Sequence, residues 1–148
     1  MNDALRQNFG EKLLDIQEAY GEITIEVRPE DLLDIAARLR DEEVFKFVFL
    51  SDLTGIDCEN GQFDVVYHLL SMQHQKRLRV KIRINESSAA PSVVSIWPTA
   101  DWPEREAYDL LGISFDGHPN LKRLLTPDGF VGYPLRKDYP LKGEHPCR

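Results

Sequence analysis

With 148 residues, 42% of them hydrophobic and 29% charged, the chain has the length and composition of one soluble domain with its own core. No apolar run approaches the roughly 18 residues of a membrane-crossing helix, and Met1-Asn2-Asp3 lacks the basic and apolar regions that open a signal peptide. The net charge of −7 divides into 15 acidic against 6 basic side chains in residues 1–60 and 10 against 12 thereafter, which argues against general nucleic-acid binding.

Leu5, Phe9, Leu13, Ile16 and Tyr20 recur at helical spacing, so the pattern predicts a helix capped by Asn2 or Asp3 and stopped at Gly21. From Glu22 to Arg28 the alternation of Ile23, Ile25 and Val27 predicts a half-buried strand. Pro29, with Glu30 and Asp31 in the first turn, opens a second helix whose apolar face is Leu32, Leu33, Ala36 and Leu39. The stretch Val44 to Leu50 reads as a buried strand. Asn60-Gly61 is a tight-turn signal leading into a strand from Phe63 to Leu70. A second turn at Gln73 to Lys76 precedes a strand from Arg77 to Ile84, with Leu78, Val80, Ile82 and Ile84 inward. These strands predict an antiparallel meander joined by the earlier strand and backed by helices. The fold class is therefore a two-layer α+β domain with a mixed, mainly antiparallel sheet.

Beyond the polar loop Glu86 to Pro91 the character of the chain changes, because eight of the nine prolines lie from Pro91 onward. Ser92 to Trp97 fits a short helix or a short strand equally well. Asp101-x-x-Glu104 resembles a capping box that starts a helix ending near Leu111, with Gly112 as its stop. Extended chain and turns are expected from Ile113 to Arg148. The organisation predicted is one structural domain: an α+β body over 1–112 and an extended interaction tail over 113–148.

Charged residues, glycines and prolines alternate densely from Glu104 through Leu125, and again from Gly132 through Pro140. Such a mixture suggests a shaped, charged docking surface. Glu104 and Glu106, two apart on a helix, face different ways and make a poor acid/base dyad. Arg105 and Asp109, four apart, can meet as a surface ion pair, or arginine can offer its fork to a carboxylate across a subunit contact. His118 precedes Pro119 in a glycine-containing turn, with no serine or cysteine nucleophile obviously placed to use it. Asp116, His118, His145 and Cys147 lack the spacing of a metal site, and the two cysteines, Cys58 and Cys147, cannot supply the four thiolates of an iron–sulfur cage. Neither a glycine-rich dinucleotide motif nor a P-loop occurs. The stripe Arg77, Arg79, Lys81 and Arg83 reads as a solvated sheet face. Trp97 and Trp102 read as core or interface anchors.

Glu104-Arg105-Glu106, Asp109-Leu110-Leu111, His118 and Lys122, followed by Pro134-Leu135-Arg136-Lys137-Asp138-Tyr139-Pro140, closely resemble the motifs of the 30-kDa subunit family of respiratory NADH:quinone oxidoreductase, complex I. Leu50-Ser51-Asp52-Leu53-Thr54 and Tyr67-His68-Leu69-Leu70-Ser71 extend the likeness, which covers roughly residues 45–141. Asp128-Gly129-Phe130 departs from it, where many relatives carry a tryptophan. The resemblance implies a scaffold subunit of the peripheral arm, docked on the large hydrogenase-like subunit near the quinone module and beside iron–sulfur subunits. It implies no catalytic, cofactor or metal site in this chain; FMN, iron–sulfur clusters and quinone would belong to partner subunits. It also implies a peripheral place on the cytoplasmic side of the inner membrane, or the matrix or stromal side in an organelle, held there only through the complex. On this reading Glu104, Arg105, Glu106 and Asp109 organise the helix and its subunit contact. His118, Lys122 and Arg123 fix the following turn, and Arg136, Lys137 and Asp138 anchor the tail across a neighbour. Equivalent subunits of a photosynthetic NDH complex, a dehydrogenase of reduced deazaflavin or a membrane-bound hydrogenase share these motifs. A free-standing binding module or a small hydrolase using His118 with Asp116 or Asp109 is the rival from another class.

Overall fold

Alternation of apolar and polar side chains builds the central sheet, one face of which is buried against all three helices. The structure, a computed structural model, describes residues 1–122 and 132–136. The elements in chain order are α1 (Asn2–Phe9), β1 (Leu13–Ala19), β2 (Glu22–Val27), α2 (Leu32–Asp41), β3 (Phe49–Asp57), β4 (Gln62–Ser71), β5 (Lys76–Asn85), β6 (Ala89–Pro91), α3 (Asp101–Leu111) and β7 (Ser114–Asp116). Five strands form one sheet in the order β1-β2-β5-β4-β3; β2 and β5 run parallel and the other pairs antiparallel. A separate parallel pair joins β6 to β7. The α+β class with a mixed, mainly antiparallel sheet is the one expected.

The inner face carries Ile23, Ile25 and Val27 from β2, Leu78, Val80, Ile82 and Ile84 from β5, and Phe63, Val65, Tyr67 and Leu69 from β4, all buried. This is the period-2 alternation of a half-covered sheet. On the outer face three of the four cations of the β5 stripe are partnered by acidic side chains of its neighbours. Arg83 binds Asp64 at 2.8 Å, Lys81 lies 3.5 Å from Glu26, and Arg79 bonds Glu22. Arg77 and Arg83 are exposed and Arg79 and Lys81 half-buried, so the face is partly solvated, with cross-strand pairs at Arg79, Lys81 and Arg83.

Several elements differ from those predicted, for physical reasons. The N-terminal helix stops at Phe9, where Gly10 takes a positive φ of 46° and a single 3-10 turn, Gly10–Lys12, redirects the chain. Leu13, Ile16 and Tyr20, predicted on that helix, belong to β1 and its turn, and Tyr20 is fully exposed. Their spacing of three and four is helical, but pairing with β2 prevails, and a register shift between Leu13 and Asp15 accommodates the odd step. Met1, not Asn2 or Asp3, precedes the helix, and no side chain caps it. A 3-10 turn at Pro29–Asp31 precedes α2, and Ile35 lies inward while Leu33 faces out.

The predicted strand at Val44 to Leu50 is a turn and an irregular link; β3 begins only at Phe49. Phe45 and Phe47 are nonetheless buried, and Phe45 stacks on Phe9 at 5.5 Å. Their burial explains the strand-like pattern. Lys46 between them has a φ of 49°, which a continuous strand does not accommodate. The loop Glu86 to Pro91 contains β6, and Ser92 to Trp97 holds a turn at residues 94–96 in place of a helix or strand.

Gly55 in β3 positions the third helix. A Cβ there would lie 2.7 Å from Leu111 Cδ1 and 2.9 Å from Ile113 Cδ1, so the missing side chain lets the end of α3 sit directly on the strand. A Gly55→Val substitution should lower the stability of the purified chain by about 1–3 kcal/mol, the usual cost of overpacking. Denaturant titration checks this; an unchanged midpoint would show that the helix end does not rest on β3.

Candidate functional site

The motif residues of α3 divide by helical geometry into those that hold the domain together and those that face outward. Glu104 and Asp109 are fully buried, whereas Glu106 is exposed and Arg105 half-buried. Asp101 is the first residue of the helix, Ala100 precedes it as cap, and no side-chain capping bond forms there. The predicted capping box is therefore absent, because Glu104 turns inward to other donors. Its Oε1 accepts the Ser92 Oγ–H at 2.6 Å and its Oε2 accepts the Val93 backbone N–H at 2.8 Å. These bonds fasten the link after β6 to the buried face of α3.

Burial pushes the Glu104 carboxyl above its ordinary value of 4.5, against the opposing pull of the bonds from Ser92 and Val93. The Tyr67 hydroxyl is buried without a hydrogen-bond partner among the described residues. Its phenol lies well above 10, first through burial and then through the charge of Glu104. Tyr67 and Glu104 thus place two polar groups in a largely apolar layer.

His118 closes the other end of the network. Its side chain is wholly buried, with Nε2 3.2 Å from the Asp101 backbone oxygen and 2.9 Å from Asp101 Oδ1. The Asn120 N–H donates to Nδ1 at 2.9 Å, which makes Nδ1 an acceptor and Nε2 the proton-bearing nitrogen of the neutral ring. The histidine is occupied in joining the turn after β7 to the start of α3. Its partner is Asp101, not the Asp116 or Asp109 of a hydrolase reading.

At the other end of the helix, Gly112 adopts the left-handed conformation, φ 78°, and its N–H bonds the Tyr108 carbonyl at 2.9 Å. Leu135 N–H donates to the Leu110 carbonyl at 2.9 Å. Arg136 Nε donates to the Leu111 carbonyl at 2.6 Å, and its guanidinium lies 5.1 Å from the Phe63 ring and 4.7 Å from that of Tyr133. A cation at the C-terminal carbonyls of a helix, held between two aromatic faces, is a favourable arrangement on both counts. Glu86 Oε2, 3.8 Å away, adds a longer ion pair. Arg136, expected to anchor the tail across a neighbour, here bonds the last carbonyl of α3 within the chain.

Arg105 does not pair with Asp109 as a surface bridge. It lies over the exposed Trp102, 5.6 Å from the ring, and its Nε is buried without a partner among the described residues. Trp97, by contrast, is a core anchor whose Nε1–H donates to the Phe47 carbonyl at 2.9 Å. Lys122 is exposed. Arg123, Lys137 and Asp138 lie outside the described residues. Sequence reasoning missed the role of Ser92, which carries no motif, and of Tyr67, which lay in a family-like stretch but was not singled out; both gain importance from Glu104. Cys58, the free thiol in the described part, is held protonated by burial and by the neighbouring Asp64 carboxylate. No group of three or more potential metal ligands occurs among the described residues.

Comparison with known proteins gives the arrangement a context. Residues 25–145 match the family described as the 30 Kd subunit of respiratory-chain NADH dehydrogenase. An NADH-quinone oxidoreductase subunit of Methylobacterium sp. strain 4-46 is 44% identical over 145 residues, covering 97% of this chain and 67% of that protein. The corresponding NADH-quinone oxidoreductase subunit of Citrifermentans bemidjiense is 45% identical over 142 residues, covering 94% and 87%. Among solved structures, a chain of the membrane-bound sulfane sulfur reductase, an archaeal respiratory membrane complex, superposes with a TM-score of 0.79. It covers 95% of this chain and 85% of its own length at 22% identity, a likeness of fold.

Removing the Glu104 side chain leaves the buried Val93 N–H without its acceptor. Glu104→Ala should therefore cost about 2–3 kcal/mol, while Glu104→Gln, which can accept from Val93 and donate to Ser92, should cost far less. Because the folded carboxyl titrates above 4.5, the native state holds the proton more tightly than the unfolded chain. Stability from this group is full below the ordinary glutamate value and falls as pH rises toward the elevated one. Urea titrations across that window should show the decline in the native chain and its absence in Glu104→Gln; parallel curves would contradict it. Arg136→Ala should cost about 1–3 kcal/mol and speed amide exchange at Leu135, with Arg136→Lys recovering only part of the loss.

Proposed function

The chain belongs to the family of respiratory-chain NADH dehydrogenase 30-kDa subunits, and on that premise we propose that it is a scaffold subunit of the peripheral arm of NADH:quinone oxidoreductase. It carries no redox group itself. It docks the large hydrogenase-like subunit and neighbouring iron–sulfur subunits, while FMN, the clusters and the quinone site reside in those partners. The complex moves electrons from NADH to quinone and couples that transfer to ion translocation. The protein is held peripherally at the cytoplasmic face of the membrane through its partners; none of its described helices is long and apolar enough to cross a bilayer.

One observation carries this reading. The densest motif residues, Glu104 and His118, are buried in bonds that fix α3 to its surroundings, and neither lines the groove between α3 and β3. A site built for chemistry leaves its acid or base within reach of a reacting group. A site built for assembly stiffens one element and presents its other face. The outward side of α3 offers Trp102 and Glu106, and exposed aromatic and charged side chains on a rigid helix suit a subunit contact.

Tagged chain recovered from gently solubilised native membranes should bring down a hydrogenase-like subunit and iron–sulfur subunits, identified by mass spectrometry. Trp102→Ala should reduce that recovery several-fold while leaving the chain folded by circular dichroism. Recovery of the chain alone, from the soluble fraction, would overturn the scaffold reading.

A further inference from the structure

Strand β3 is an edge of the five-stranded sheet, with β4 on one side and, among the described residues, no strand on the other. In an antiparallel edge strand, alternate residues turn their N–H and C=O groups away from the sheet. The Leu53 N–H is one of these, since the Asp52 carboxylate accepts it at 2.8 Å. Gly55, two residues on, keeps step with it. Between this edge and α3 runs a groove of about 200 Å³. Its floor is apolar, from Gly55, Ala107 and Leu111, and its rim carries Asp52, Glu106 and Leu135.

Three properties of the groove specify its occupant. Outward backbone groups at Leu53 and Gly55 offer hydrogen bonds to an extended chain laid alongside, at the ordinary interstrand spacing. The apolar floor accepts alternate side chains of such a segment, and Leu135, 60% exposed at the rim, gains cover from it. The two rim carboxylates are exposed, and among the described residues no basic side chain lines the groove. We propose that this edge takes an extended, lysine- or arginine-bearing segment of another subunit, which adds to the sheet as a strand beside β3. The inference rests on the scaffold reading and names the surface and the chemistry through which docking proceeds. Asp52 serves twice. In the free chain its carboxylate covers the Leu53 N–H, a guard against unspecific strand pairing, and on docking it turns to the incoming cation.

The test uses the assembled complex. A photo-crosslinking p-benzoylphenylalanine at position 135 should, on irradiation, form an adduct with a basic, extended stretch of another subunit. The same probe at Gln17, on the opposite sheet edge, should not reach that stretch. Neutralising the rim with D52N and E106Q, which preserve shape, should lower the position-135 adduct about threefold or more and weaken its dependence on salt. An adduct confined to the chain's own residues, to a second copy or to an acidic stretch would overturn the proposal, as would an adduct indifferent to rim neutralisation. If partner subunits copurify while any of these results is found, the groove assignment fails and the scaffold reading stands. If no partner copurifies, the scaffold reading fails and takes the groove with it.

Discussion

A buried carboxylate organises the C-terminal half of this domain. Glu104 reaches from α3 into the layer between helix and sheet, where it accepts one hydroxyl and one backbone N–H from the link that follows β6. Placing a charge-bearing group in such a position is unfavourable unless donors meet it, and Ser92 and Val93 meet it on both oxygens. The helix is thereby fixed in rotation as well as position. That rotation places Ala107 and Leu111 against Gly55, seats His118 on Asp101, and leaves Trp102 and Glu106 facing out. Apolar packing alone specifies such an orientation poorly, because a leucine tolerates small rotations that a two-bonded carboxylate does not.

The two ends of α3 are secured differently. At its start, a buried imidazole bonds the first residue; at its end, a guanidinium fills the place of a capping side chain and draws residues 132–136 onto the helix. Sequence distance between partners is large in both cases, 17 positions for His118 and 25 for Arg136. Helix α3 therefore serves as the post around which the descending chain is arranged, and its motif density reflects the number of segments that meet there.

The sheet was largely legible in the sequence and the site only partly. Ile23, Ile25 and Val27, and Leu78 through Ile84, alternate over enough residues for period 2 to be unmistakable, and Asn60-Gly61 marks the turn between β3 and β4. Leu13 to Tyr20 was misleading because Leu13, Ile16 and Tyr20 keep helical spacing, while the chain pairs with β2 through a register shift that the sequence does not announce. Phe45 and Phe47 mimic a strand because alternate burial does not require strand hydrogen bonds. The residues of the site were found by resemblance, yet their partners were not. Nothing local in Ser92, Tyr67 or Phe63 announces a carboxylate or guanidinium across the fold, since those contacts exist only after the layers meet.

The parallel contact of β2 with β5 has a consequence for how the molecule is made. The β1–β2 pair and the β3–β4–β5 meander are each closed by short turns, so each consists of local contacts that form early and cheaply in chain entropy. The sheet becomes continuous only when Ile23 finds Leu78, 55 positions away, in the one parallel register it contains. Long-range parallel pairing is the slow class of event in folding. Until it occurs, the apolar rows of two separate ribbons stay open to water and to other chains. The pairs Glu22–Arg79 and Glu26–Lys81 straddle that same seam, so charges of opposite sign favour the correct meeting of the ribbons over a slipped one. A nascent chain thus carries its own guidance for the step most exposed to misassembly.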